Sequence, residues 1–357
     1  MSIYQAWSRA LSGEFMYSAF HQIDEQKWVI AYCPAVSKRH VTTVWKLIDY
    51  ALKDGVHNEI NGLILQSLPH SARKAESLPT SSEGLGELLK GPAEAKESQL
   101  EPGQYFPRIW RGKFSKSGLA DVISIDPLSL YGQAYINSMK GAIGVFEYLN
   151  DIFRYVEPSK VNKKSYGNKM REALILACTE IEANWVSIYR LNLPSSIPSN
   201  DRYSTTQYVC LKPIMKLDEW SVSLTHYEEM GVFQPFKNWQ AHSPSGDSPG
   251  PTKSIPWYNA YNKIKHDREL YFHKANLENL LEAMAALYIM ICAQWGPKAF
   301  EGRNLTETSF SVHSSPFRVE SAPDYDLGTF YMQPFDFDGQ DRSWEPISIE
   351  KYEQQIL

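Results

Sequence analysis

Between Trp257 and Arg268 the chain reads Trp-Tyr-Asn-Ala-Tyr-Asn-Lys-Ile-Lys-His-Asp-Arg, its densest run of side chains able to do chemistry. On a helix Asn259, Asn262, Lys263 and His266 fall at i, i+3, i+4 and i+7 and share one face, with Lys265 and Arg268 to its side. Carboxamides and cations of this kind grip phosphate and orient a ribose hydroxyl, and an imidazole moves a proton near neutral pH. The plainer alternative is a solvated helix face. Against it stands the crowding of polar groups at what reads as a helix start, directly after a long loop and between strongly apolar segments.

The elements that would position these residues are helical. Met139, Ile143, Phe146, Leu149, Ile152 and Phe153 share one face of a helix that Pro158 stops. Met170, Leu174, Ala177, Cys178, Ile181, Trp185 and Ile188 form the clearest apolar stripe, ending near Asn192. Ser254-Ile255-Pro256 opens a further helix. Leu277, Leu280, Leu281, Met284, Leu287, Tyr288, Ile291 and Trp295 make another, closed by Gly296-Pro297. The long Pro-rich connection 193–256 reads as a lid, an interface or a segment with small structure of its own, its aromatics packed on the bundle.

The fold class expected is mainly α, a helical bundle over 131–299 with an α+β N-terminal region and a short β-rich C-terminal extension. Residues 1–69 read as α+β, with a strand at Trp28–Cys33 ended by Pro34 and helical spacing at Val44, Leu47, Ile48, Ala51 and Leu52. Residues 70–104 read as a linker or long loop with a short helix at 85–89. Residues 105–130 read as short strands, with alternation at Arg108–Arg111 and a run at Val122–Ile125. In 300–357, Phe317–Val319 and Thr329–Met332 read as a hairpin.

A chain of 357 residues, 43% hydrophobic and 22% charged, has the composition of a soluble globular protein. The net charge of −5 argues against coating nucleic acid by bulk charge and leaves room for a local basic patch. Four scattered cysteines read as buried thiols in a reducing compartment. The longest apolar run, near 283–293, is too short to span a bilayer. The N-terminus lacks a signal peptide's apolar run, so a cytoplasmic, bacterial protein without membrane contact is expected. No histidine pair has metal-ligand spacing, and neither a dinucleotide nor a phosphate-binding glycine loop is present, so neither metal nor cofactor is expected.

Over roughly residues 135–296 the chain resembles the HEPN superfamily, whose nuclease members carry arginine, a polar residue, a short spacer and histidine. Asn262 matches the polar position and His266 the histidine, while Tyr261 stands where the family carries arginine. The pattern Tyr-Asn-x-x-Lys-His-x-Arg is also similar to a group of bacterial HEPN-like proteins. Tyr166 to Glu182 resembles the HEPN helix whose acidic residues face the site. The resemblance implies that Arg171 or Arg268 supplies the missing cation, with Glu180 or Glu182 orienting it or His266. Interhelical ion pairs are the alternative for these residues.

Three readings follow. The resemblance implies a homodimer with two polar faces on one cleft, Lys263, Lys265 and Arg268 on phosphates and Trp257, Tyr258 and Tyr261 offering rings to unstacked bases. In the first reading the protein binds RNA or a nucleotide without cleaving it, in phage defence or a toxin–antitoxin system. In the second it is a metal-independent endoribonuclease acting through 2′-hydroxyl attack, with His266, Asn262, Arg268, Arg171 and Glu180 as machinery. In the third the polar face is a scaffold contact with a second copy or a protein partner.

Overall fold

The computed structural model describes residues 3–9, 15–21, 30–34, 43–47, 94–97, 99, 104–112, 127–192, 203–300, 315–326, 329, 331 and 353–354. The chain divides into two compact units, Met1–Tyr105 with Arg111–Ile125 and Asp324–Glu353, and Phe106–Trp110 with Asp126–Pro323 and Gln354–Leu357. The described residues are mainly helical.

The first unit holds a five-stranded sheet of β1 (Ile3–Arg9), β2 (Phe15–His21), β3 (Ile30–Pro34), β4 (Thr43–Leu47) and β5 (Glu94–Glu97). Its order is β4-β3-β2-β1-β5 and every pairing is antiparallel. Two expectations are corrected here. Residues 43–47 form a strand, not a helix: Thr-Val-Trp are β-formers, and their alternation outweighs the helical spacing from Val44 to Leu52. The expected linker yields β5, whose charged Glu-Ala-Lys-Glu sequence suits the edge it occupies. The helix expected at 85–89 and the strand at 122–125 lie outside the described residues.

The second unit is built on α1 (Pro127–Phe153), α2 (Asn168–Leu191), α3 (Pro256–His266), α4 (Arg268–Tyr271) and α5 (Leu277–Trp295). Proline at the first position of α1 sacrifices no helical hydrogen bond, and Tyr131 (φ −136°, ψ 32°) marks a kink one turn in. α5 is the central element, packing on α1, α2 and α3. By length and composition it is apolar enough to cross a membrane, and 83% of its apolar window is buried inside the unit. The Asn276 side chain caps it by accepting from the Asn279 amide at 3.0 Å. Gly296, at φ +99° with the Trp110 ring against it, ends it.

The connection 193–256 carries its own structure, with short helices at Thr205–Tyr208, Leu211–Ile214 and Gly250–Lys253. It also supplies β6 (Ser221–Leu224) and β7 (Val232–Phe233). β6 lies between β7 and β8 (Phe317–Ser321) in an antiparallel sheet. The expected hairpin of 317–319 with 329–332 is therefore corrected: β8 pairs with β6, whose four residues are all buried.

Aromatic rings fill the core. Trp185 stacks on Trp239 with centroids 5.0 Å apart, amid Tyr208, Phe236, Trp257 and Tyr258. A second cluster joins Phe146, Tyr288, Phe300 and Phe317. Cys178 and Cys292 are buried within the helices, while Cys210 is half-buried.

Arg108-Ile109-Trp110 forms a turn inserted among the helix ends rather than the strand its alternation suggests. Ile109 and Trp110 are buried, and the Trp110 amide donates to the Ala293 carbonyl at 2.9 Å, satisfying an acceptor in the last turn of α5. The Asn192 side chain, at the end of α2, donates to the Pro107 carbonyl at 3.0 Å.

Candidate nucleic-acid interface

The segment 257–268 spans all of α3 and its exit, so the expectation of a polar helix start is corrected. Asn259 lies in the first turn, His266 is the last residue of α3, and Arg268 opens α4 after Asp267 breaks the helix. The Asp267 carboxylate caps α4 by accepting from the Leu270 amide at 3.0 Å. α3 and α4 run antiparallel to α2: Tyr258 meets Glu182 and Trp185 near one end, and Arg268 reaches Asn168 at the other.

The apolar side of α3 sets its position. Trp257, Tyr258 and Tyr261, read from the sequence as platforms for bases, are 1%, 6% and 2% exposed and belong to the core. The Tyr258 hydroxyl donates to Glu182 at 2.5 Å, and burial followed by this carboxylate pushes its pKa far above the ordinary phenol range. Asn262 donates to the Tyr258 carbonyl at 3.1 Å, a bond inside its own helix.

The polar side carries the cations. Lys265 donates to the Tyr261 hydroxyl at 3.0 Å and lies over that ring, and this bond raises its pKa. Lys263 lies 5.1 Å from the Tyr271 centroid and Arg268 5.5 Å from that of Phe272. Arg268 also donates to the Asn168 side chain at 3.0 Å, at the first residue of α2. None of Lys263, Lys265, Arg268 or Arg171 has a carboxylate partner among the described residues. Arg171 lies one turn into α2, its Nε buried without a hydrogen bond among the described residues. His266 is exposed, with no hydrogen bond among the described residues.

Glu180 does not join this group. Nine residues, about 13 Å of helix rise, separate it from Arg171. Its carboxylate lies against Gly141 of α1, where a Cβ would come within 2.5 Å of it, and burial raises its pKa. Glu182 is the carboxylate that reaches α3.

The basic character extends across the neighbouring chain. Tyr166 bridges Asn276 and packs edge-on to Phe272 at 5.6 Å, which places 160–171 beside 263–274. These two stretches hold nine lysines and arginines against two carboxylates, in a chain whose net charge is −5. Tyr166 is 55% and Tyr155 82% exposed. Glu278 bridges Lys163 at 3.9 Å and Lys164. Glu282 lies one turn further along α5, and burial followed by repulsion from Glu278 pushes its pKa up to about 7.

A second polar group, missed in the sequence, lies at the far end of α2. Arg108, with φ +57°, buries its guanidinium among α1, α2 and α5. Its Nε donates to Gln294 Oε1 at 2.9 Å, and its Nη2 to Gln294 at 2.5 Å, Ser138 at 3.1 Å and Asn184 at 3.2 Å. It lies 5.1 Å from the centroid of Trp295. Every acceptor is neutral, and burial lowers the pKa to about 10, so the charge persists at neutral pH. Burying such an ion costs several kcal/mol. Hydrogen bonds to a charged group return roughly 1.5–3 kcal/mol each, and the helix C-termini only about 0.3–1 kcal/mol. The sequence signal for this group was two polar residues, Asn184 and Gln294, inside otherwise apolar stripes.

Among the described residues no three His, Cys, Asp or Glu side chains gather to hold a metal. No protein family matches the chain, and neither a curated protein nor a solved structure does so.

Proposed function

We propose that the protein is a HEPN-like, non-cleaving RNA-binding protein of the bacterial cytoplasm, with the face built by α3, α4 and the start of α2 as its interface. The carrying observation is the set of cations, Lys263, Lys265 and Arg268, held on aromatic rings rather than on carboxylates. Their charge is open to phosphates, and the rings restrain the side chains before a ligand arrives. Exposed Tyr166, within the basic stretch and packed edge-on to Phe272, offers a stacking surface, the role that the buried tyrosines of α3 leave vacant. Action in phage defence or a toxin–antitoxin system, and a homodimer pairing two such faces, belong to the same proposal through the HEPN resemblance.

Two observations favour binding over cleavage: the Glu180 carboxylate lies at Gly141, and Tyr261 stands where the resemblance expects the charge-stabilising arginine. The cleaving alternative rests on Arg268 and Arg171, which lie at the same end of α2 as His266.

The test uses the full chain, fluorescein-labelled RNA of mixed sequence, and anisotropy over a salt series with chelator present. Replacing Lys263, Lys265 and Arg268 with alanine should weaken binding and lower the slope of log affinity against log salt by about 2. Unchanged affinity and slope would overturn the interface. RNA cleavage by the wild-type chain, lost in His266→Ala, would replace this reading with the nuclease.

A further inference from the structure

We propose that Arg108 and Trp295 form a second, separate site that receives one small monovalent anion, a carboxylate or a halide, at the end of the bundle remote from the basic face. Arg108 is 8% and Trp295 5% exposed, so both are more than nine-tenths buried. The guanidinium spends its Nε and Nη2 on Gln294, Asn184 and Ser138, and its Nη1 makes no hydrogen bond among the described residues. The indole Nε1 of Trp295 is buried with no acceptor among the described residues. Two kinds of donor thus stand unused on one cation–π pair, the guanidinium lying over the indole at 5.1 Å from its centroid.

The surrounding polar groups are already committed. Gln294 donates to the Asn184 side-chain oxygen at 2.9 Å and to the Met290 carbonyl, and Asn184 donates to the Glu180 carbonyl at 2.7 Å. These bonds turn the Gln294 and Asn184 oxygens toward Arg108. Among the described residues no carboxylate pairs with the guanidinium, whose acceptors are the side-chain oxygens of Gln294, Asn184 and Ser138. The site therefore presents donors and a single positive charge in a low-dielectric setting. An anion of one unit charge neutralises it, whereas a dianion would leave a buried negative charge. Arg108 also holds a left-handed backbone, a conformation that a non-glycine residue keeps only where its surroundings impose it.

The experiment follows the Trp295 indole N–H in nitrogen-15 spectra of the full chain, assigned through Trp295→Phe. Sodium formate, sodium chloride and sodium phosphate are titrated separately, with thermal unfolding recorded in parallel. Formate or chloride should shift the Trp295 signal saturably and raise the melting temperature, and the relative strength of the two arms identifies the anion. Arg108→Gln should abolish saturation. If that variant fails to fold, Trp295→Phe serves instead: it keeps the cation, and the anion's apparent affinity from melting shifts should fall about tenfold, the loss of one hydrogen bond. A Trp295 signal that drifts without saturating, or equal affinity in Trp295→Phe and wild type, would overturn the site. Saturation by phosphate alone would overturn the monovalent assignment.

Discussion

Glu282 links the protein's stability to pH. Folding raises its pKa from 4.5 to about 7, so the folded chain holds this proton more tightly than the unfolded chain. The contribution is complete below about pH 4.5 and is lost as pH rises through 7. Glu282→Gln should therefore be more stable than wild type at about pH 8, by roughly 1–3 kcal/mol, and nearly equal at about pH 4. Urea unfolding at the two pH values checks it; equal stability at pH 8 removes Glu282 as the cause. Gly141 gives a second residue-scale outcome. Alanine there meets the Glu180 carboxylate, whereas in a Glu180→Ala background the same change should stabilise α1 by about 0.5–1 kcal/mol. At this scale the sequence reveals residue types and faces. It placed Lys263 and His266 on one face of a helix, but it favoured Glu180 over Glu182, because only packing tells which of two nearby carboxylates meets α3.

Among the elements, α2 and α5 were legible because long apolar stripes at three-and-four spacing suit a helix and little else. The end of α3 was not. Asp267 and Arg268 look like a continuation of the helix, and the break becomes visible only when Asp267 turns its carboxylate to cap α4. Residues 43–47 and 317–321 were misread for a related reason: short segments take their state and partner from the sheet they join, not from their own pattern. The Asn276 cap supports the whole of α5. Asn276→Ala should cost about 1 kcal/mol, read as a lower urea midpoint with unchanged slope. A midpoint equal to wild type would mean that other groups satisfy that helix end.

For the second unit as a whole, the aromatic core sets the scale of stability. Trp185 touches five other rings and is fully buried, so Trp185→Ala should cost about 3–5 kcal/mol. Calorimetry of the full chain would show the helical unit melting earlier. A helical bundle was readable from the sequence, but the structure carried by 193–256 was readable only as aromatic content, since its short helices and strands hold together through contacts distant in sequence.

The two buried thiols give this unit a pair of internal clocks. Cys178 lies on α2, electrostatically coupled to Glu182 and to Lys265 of α3, and burial holds its thiol well above the ordinary range. Cys292 lies on α5, its sulfur 3.8 Å from the Pro297 carbonyl. A thiol reagent can reach either only when the helices part, so alkylation rates under native conditions count opening events. Peeling of α3 alone would label Cys178 and spare Cys292, and mass spectrometry of the two peptides would tell partial from complete opening.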